Sequence, residues 1–375
     1  MNQQALDLRY MTLALRLASK GRGRTSPNPM VGAVVVSKGR IVGRAYHRKA
    51  GGPHAEVLAL RQAGRRARGG TLYVTLEPCS HTNKRTPPCV PLVIASQVRR
   101  VVVAMIDPNP LVKGRGVRRL RQAGIRVDVG CCREQAETLN EVYRHWIDTG
   151  RPLVILKAGM TLDGKIATAS GEAKWITGDA ARRHVHRLRG QVDAIMVGIG
   201  TILRDNPELT ARIGAHSDRL AGRQPLRVVV DSRLRLPLHA RVTSVRSGAA
   251  TLVATTTEAP RKKLAQLEAR GIEVLTFPGR GGRVPLPALL SALAKRRITS
   301  LLLEGGSELN ASALRAGLVD RVMLYVAPRL LGGRNAIGLI GGLSPARLGD
   351  AVALERLSIR KIGDDMLIQG DIRNM

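Results

Sequence analysis

Aromatic side chains are scarce in this chain: Phe, Tyr and Trp make up 2% of its 375 residues, with a single Phe. That scarcity leaves few platforms on which the bases of a single-stranded nucleic acid could stack. Acidic residues are also few, 28 Asp and Glu against 61 Lys and Arg, for a formal charge of +33. Cysteine occurs four times, and nothing in its placing suggests a secreted disulfide framework. Two of the four, Cys131 and Cys132, are adjacent and read as packing residues or incidental thiols. No run of eighteen or more apolar residues appears, which argues against a membrane span. The opening stretch MNQQALDLRYMTLALRLASKG carries apolar residues at helical spacing, broken by Asp7 and Arg9. It has neither the continuous apolar core nor the cleavage site of a signal peptide, so a cytoplasmic protein is the expectation.

The positive charge belongs to no detachable tail. Residues 1–150 hold 26 Lys and Arg against 9 Asp and Glu, and the remainder holds 35 against 19. Nucleic-acid binding is one reading of such an excess. The other is an Arg-rich solvated surface that draws in small phosphorylated molecules. With so few aromatics, the second is the expectation, and no specific nucleic-acid partner is called for.

At 44% hydrophobic, the chain is long enough for two domains with cores of their own. VGAVVV and IVGRAY flank the turn SKGR and predict a hairpin. A helix follows at PHAEVLAL, then a strand at TLYVTL, a helix start at CVPLVIAS and a buried strand at RRVVVAMI. VRRLRQAGIRVDV reads as a helix, Gly124 and another strand, and one helix is expected over Gln135 to Trp146. This alternation predicts an α/β sandwich with helices over a central sheet. DTGRP at 148–152 breaks the pattern, which sets domains at 1–148 and 149–375. In the second, PLVILKAGM, VDAIMVGIG, LRVVVD, ATLVATT, IEVLTF, SLLLEGG, RVMLYVA and MLIQGDI are candidate strands. Helical stretches lie between several of them, so this half is α/β as well.

One His, one Glu and two Cys stand out in the first half. His54 and Glu56 lie two apart in PHAEVLAL, so on a helix they cannot share one contact point. Cys79 ends the strand in TLEPC, and Cys89 follows ten residues later. One imidazole and two thiolates suit zinc and leave its fourth position for water. Glu56 then stands beside that water, able to take its proton and deliver it to a departing amine. The arrangement H-x-E followed by P-C and a second Cys is a zinc-deaminase signature. His47 and His81 lie nearby but do not fit the signature as ligands. A purely structural zinc site is the competing reading, and an uncoordinated carboxylate argues against it. A nucleic-acid editing deaminase is another, but such enzymes space the two Cys as P-C-x-x-C.

These motifs resemble a known family, the bifunctional deaminase–reductases of riboflavin biosynthesis. The matching stretches are TSPNPMVGAVVV, YHRKAGGPHAE, TLEPCSH, RTPPC and DPNPLVKGRGVRRLRQAGI. Further on, KAGMTLDGKIATASGEAKWIT, LRDNPELTAR and LLEGGSELNASAL match the reductase half. Two departures stand out: one extra residue between the two Cys, and Ala173 where the family commonly has Ser. The resemblance implies a cytidine-deaminase-like α/β/α sandwich followed by a dihydrofolate-reductase-like α/β domain. It implies hydrolysis of the 2-amino group of a 2,5-diamino-6-(phosphoribosylamino)pyrimidinone, with one zinc on His54, Cys79 and Cys89. NADPH then reduces the ribosyl group to ribityl, and a homo-oligomer, dimer or tetramer, is expected. Asn28 matches a residue placed near the pyrimidine, although an Asn that ends a loop before a strand reads equally well.

The same resemblance places NADPH against Gly159, Trp175, Thr201, Asp205 and Ser232. It adds the run Gly306, Ser307, Glu308, Leu309, Asn310, Ala311 and Ser312. It places substrate against Ala173, Arg189, Leu209, Arg212 and Glu304, and the two guanidiniums suit a phosphate. Lys157 and Asp205 are the ionisable groups near hydride transfer, and either could be the acid. The residues alone say less. No G-x-G-x-x-G fingerprint occurs, but SLLLEGGSELNASAL offers a strand, a Gly turn and a helix start whose amides suit a phosphate. A side chain at Gly306 is expected to block that approach and to strain the turn.

Overall fold

The computed structural model describes residues 2–81, 87–212, 224–244 and 247–373. They form two compact units, Met1–Gly150 and Arg151–Met375.

The first unit opens with α1 (Gln3–Ala18), β1 (Gly32–Ser37), β2 (Arg40–Tyr46) and α2 (Ala55–Ala63). There follow β3 (Thr71–Leu76), α3 (Cys89–Ala95), β4 (Arg100–Met105), α4 (Arg115–Gln122) and β5 (Arg126–Val129). It closes with α5 (Arg133–Leu139) and α6 (Glu141–Thr149). The five strands lie in the order β2-β1-β3-β4-β5. β1 and β2 make the expected antiparallel hairpin, while β3, β4 and β5 run parallel to one another. Two glycines show how the layers form. A Cβ on Gly32 would lie 2.0 Å from the Ala14 carbonyl of α1, and one on Gly43 would lie 2.1 Å from the Ala59 carbonyl of α2. Gly32 pairs with Tyr46, and Gly43 pairs with Val35. Residues 32 and 35 point to opposite faces of a strand. The two helices therefore press onto opposite faces of the sheet, and only a hydrogen at each crossing allows the close approach.

The helix expected over Gln135 to Trp146 is two helices, because Asn140 interrupts it. This side chain is buried, and it accepts from the Met30 amide at 2.7 Å and donates to the Met30 carbonyl at 3.1 Å. It ties the chain just before β1 to the α5–α6 corner. A local turn-forming Asn thus wins over continued helix. Cys131 and Cys132 pack against the core of this unit, as their sequence context predicts.

The second unit begins β6 (Leu153–Thr161), β7 (Lys165–Ala167), α7 (Asp179–Arg189), β8 (Ala194–Gly198) and α8 (Ile199–Asp205). β9 (Leu226–Val230), β10 (Thr251–Thr256), α9 (Arg261–Glu268), β11 (Glu273–Phe277), α10 (Leu286–Lys295) and β12 (Ser300–Leu303) come next. α11 (Ser307–Arg315), β13 (Arg321–Ala327), β14 (Ile337–Gly338), β15 (Leu354–Ile362) and β16 (Asp365–Ile372) complete it. Nine strands form one sheet in the order β11-β10-β9-β8-β12-β6-β13-β16-β15. The first seven pair in parallel, and β16 and β15 add on antiparallel.

Both faces of this sheet are covered, which explains its almost unbroken apolar strands. Leu153 and Ile155 of β6 join Ile195 and Val197 of β8 in one core. Val154 and Leu156 join Ala194 and Met196 in the other. Period-two alternation thus divides each strand between two apolar layers. β15 was not visible in the sequence. It is an exposed edge strand carrying Glu355, Arg356, Arg360 and Lys361, and edge strands often carry charge. Among the described residues no helix is long and apolar enough to cross a membrane.

Candidate active sites

In the first unit, β3 ends at Leu76 and the chain turns through Glu77 and Pro78 to Cys79. Glu77 holds that turn. Its buried carboxylate accepts from the amides of Gly114 at 2.9 Å and Val117 at 3.0 Å, at the start of α4, and of Asp107 at 3.3 Å, just after β4. Cys89 opens α3, and its amide donates to the Cys79 carbonyl at 3.0 Å and lies 3.4 Å from Cys79 Sγ. His54 is the N-cap of α2, one residue before the helix, so its ring is free of the helix face. His54 Nδ1 lies 3.5 Å from Cys79 Sγ and 3.2 Å from Cys89 Sγ.

These three donors all lie within 4.8 Å of one another. One nitrogen and two sulfurs are the donor types zinc prefers, and a set of three leaves a coordination position open. Glu56 enters from the first turn of α2, 3% exposed, and its Oε2 has no hydrogen-bond partner among the described residues. An unsatisfied buried carboxylate oxygen is costly and is therefore a pointer to a ligand. Burial pushes the Glu56 carboxyl above its usual range. The donors and the carboxylate together fit a catalytic zinc. The extra residue expected between the two Cys falls in a stretch where residues 82–86 lie outside the described residues.

His47, set aside as a ligand in the sequence, is buried beside the cluster. Its ring meets that of His54 edge-on, with centroids 5.5 Å apart. His47 Nδ1 lies 3.1 Å from the Pro53 carbonyl, and Nε2 lies 3.2 Å from Asn28 Nδ2. A carbonyl only accepts, so Nδ1 carries the hydrogen and Nε2 accepts from the Asn28 amide. Asn28 is thereby oriented, and the turn that delivers His54 is pinned.

In the second unit a cavity of about 770 Å³ opens over the ends of β6, β8 and β12. Of the residues expected to meet NADPH, Gly159, Trp175, Thr201, Asp205, Gly306, Ser307, Glu308 and Leu309 line it. Ser232, Asn310, Ala311 and Ser312 do not. Ser232 Oγ accepts from the Val284 amide, and Asn310 is wholly buried with its Nδ2 on the Leu339 carbonyl. Ala311 is core, and Ser312 Oγ donates to the Glu308 carbonyl. All five residues expected to meet substrate line the cavity: Ala173, Arg189, Leu209, Arg212 and Glu304.

An ion-pair cluster organises the cavity wall. Arg189 Nε and Nη2 donate to the two oxygens of Glu304 at 2.7 and 2.8 Å, and Lys157 Nζ reaches it at 3.3 Å. Burial alone would raise the Glu304 carboxyl, but Arg189 and Lys157 hold it far below the usual carboxylate range. The Arg189 fork is therefore engaged by Glu304, and Arg212, 64% exposed in its side chain, is the more accessible guanidinium. Burial raises the Asp205 carboxyl, with Lys174 and Arg204 opposing.

The turn before α11 differs in detail from its expectation. Gly306 has φ −75° and ψ 173°, a conformation open to any residue, so a side chain there does not strain the backbone. Its Cβ would meet only Thr201 Oγ1, at 3.7 Å. The crowded position is Gly305, where a Cβ would lie 2.9 Å from Asn310 Oδ1 and 3.1 Å from Leu309.

Two family models match the chain. Residues 4–105 match the cytidine and deoxycytidylate deaminase zinc-binding region, and residues 152–368 match the RibD C-terminal domain. The riboflavin biosynthesis protein RibD of Actinobacillus pleuropneumoniae is 46% identical over 362 residues, covering 96% of this chain and 94% of the relative. That of Escherichia coli K12 is 44% identical over 370 residues, covering 96% and 98%. Among solved structures, Acinetobacter baumannii RibD superposes with a TM-score of 0.89 at 38% identity, covering 99% of this chain and all of that one. A deaminase/reductase from Thermotoga maritima, described as acting on phosphoribosylaminopyrimidine compounds, superposes at 0.85 with 35% identity, covering 99% and 100%. Two matched halves, a zinc-suited donor set in the first unit and relatives aligned from end to end lead to one assignment: the chain belongs to the RibD family, bifunctional enzymes of riboflavin biosynthesis that join a zinc-dependent deaminase to an NADPH-dependent reductase.

Proposed function

We propose that residues 1–148 deaminate 2,5-diamino-6-(5-phosphoribosylamino)pyrimidin-4-one and that residues 149–375 reduce the ribosyl group of the product to ribityl. The observation that carries the first step is the unpartnered Glu56 oxygen beside the His54, Cys79 and Cys89 donors. His54, Cys79 and Cys89 would hold zinc, which would supply the Lewis acidity that makes water a nucleophile at neutral pH. Glu56 takes a proton from the attacking water, whose oxygen bonds to C2, and delivers that proton to the leaving amine, so the C2–N bond breaks and ammonia departs. Burial raises the Glu56 carboxyl, which helps it hold the proton between the two transfers. Asn28, held by His47, supplies an amide to the pyrimidine edge.

For the second step bound NADPH would supply a hydride to the ribosyl carbon, and Lys157 or Asp205, both in the cavity wall, would give the proton to its oxygen. Gly159, Trp175, Thr201, Asp205 and residues 306–309 form the NADPH cradle, with the amides at the start of α11 toward the cofactor phosphate. Residues 310–312 continue α11 behind that cradle, where Ser312 Oγ donates to the Glu308 carbonyl. Glu304, neutralised by Arg189 and Lys157, orients the ribose, and Leu209 and Ala173 wall it. Arg212 takes the substrate phosphate. Given the diaminopyrimidine phosphate and NADPH, the purified chain is expected to release ammonia and then oxidise NADPH in equal amount. Ammonia release with no NADPH oxidation on the deaminated product would remove the reductase half of this reading.

A further inference from the structure

His186 lines the cavity and has been given no part in either reaction. It lies on α7, three residues before Arg189, so both side chains leave the same face of the helix. Its ring faces the segment that follows Leu209. Nδ1 is 3.2 Å from the Thr210 carbonyl oxygen, and Nε2 is 3.3 Å from Arg212 Nε and 3.2 Å from Arg212 Nη2. A carbonyl only accepts, and a guanidinium only donates. Both facts give the same tautomer. Nδ1 carries the hydrogen and donates to Thr210, and the Nε2 lone pair accepts from the Arg212 fork. The Arg212 amide, 3.2 Å from Nδ1, is then a close neighbour and not a second donor to that atom. Arg189 Nη1 donates to the same Thr210 carbonyl at 3.3 Å, so two residues of α7 hold this segment.

We infer that His186 is a positioning residue for reduction: its neutral imidazole grips one edge of the Arg212 guanidinium and turns the other edge to the substrate phosphate. This rests on the reading of Arg212 as the phosphate contact. Arg212 needs such a hold, because its side chain is 64% exposed and its Nη1 is 3.8 Å from Glu208, beyond hydrogen-bond distance. An unheld Arg of that exposure spreads over many rotamers, and that freedom is lost on binding. The imidazole stays an acceptor at neutral pH. Burial, with Arg189 and Arg212 close by, pushes its pKa down to about 4.

The test uses the full chain, NADPH and the deaminated phosphoribosyl substrate. His186→Leu removes the acceptor at similar volume, and His186→Gln restores it, since an amide oxygen can accept from Arg212 while its NH₂ donates to Thr210. His186→Leu is expected to raise the substrate KM about tenfold, as loss of a hydrogen bond to a charged group does, with kcat and the NADPH KM near the parent's. His186→Gln is expected to recover most of that loss, and His186→Leu added to Arg212→Ala should worsen KM no further. If Arg212→Ala raises KM and His186→Leu does not, the inference is overturned while the phosphate reading stands. If His186→Leu and Arg212→Ala add independently, or if Gln fails to rescue a folded protein, it is also overturned. An unchanged KM in Arg212→Ala removes the phosphate reading and the inference with it.

Discussion

Glu56→Gln is expected to keep its zinc and yet lose deamination by about 10²–10⁴-fold, the usual worth of a positioned proton carrier. The substitution is nearly isosteric and introduces no charge, so a side chain 3% exposed stays in place. The three donors that hold the metal, His54, Cys79 and Cys89, do not include it. What is lost is the ability to accept a proton from water and pass it to the amine. Elemental analysis and an ammonia-release assay separate the two properties. His54→Ala gives the contrasting pattern, with metal and deamination lost together. Deamination near the parent's rate in a zinc-loaded Glu56→Gln protein would contradict the assignment of Glu56.

Gly306→Val is expected to weaken NADPH binding and ribosyl reduction by about tenfold or more, a loss of at least 1.4 kcal/mol. The reason is occlusion. Gly306 is the N-cap of α11 with an ordinary backbone, and its Cβ has only Thr201 Oγ1 as a neighbour, at 3.7 Å. The folded chain therefore has room for a Cβ at this site, but the two methyl groups beyond it project where a phosphate would approach the first amides of the helix. Gly305 is the wrong residue for this experiment. A Cβ there would lie 2.9 Å from Asn310 Oδ1 and would disturb the fold as well as the cofactor. Titration with NADPH, circular dichroism and both half-reactions complete the measurement. Deamination should persist, and parental NADPH affinity in the folded variant would remove this turn from the cofactor site.

The strands were the most legible feature of the sequence, because a sheet covered on both faces needs continuous apolar runs such as SLLLEGG and RVMLYVA. β15 carries no such signal, because its exposed edge residues are charged. The break at Asn140 could not be read either, since its cause is Met30, 110 positions away. In the first site, the short signature around His54, Glu56, Cys79 and Cys89 carried the chemistry, and the structure gathers its three metal donors within 4.8 Å. The part of His47 was hidden, because only folding brings it to Asn28 and Pro53. In the second site the resemblance supplied the residues, and composition or spacing would not have done so. The engagement of Arg189 by Glu304 lies in no local pattern, as 115 positions separate them.

On the function proposed above, one chain carries two chemistries in two separately organised sites, and only the first depends on zinc. Removing the metal with a chelator and assaying each half-reaction tests it most directly. Ammonia release is expected to be lost and to return when zinc is restored. NADPH oxidation on already deaminated substrate is expected to continue throughout at the parent's rate. Deamination that survives in metal-free protein, or reduction that rises and falls with zinc, would contradict it.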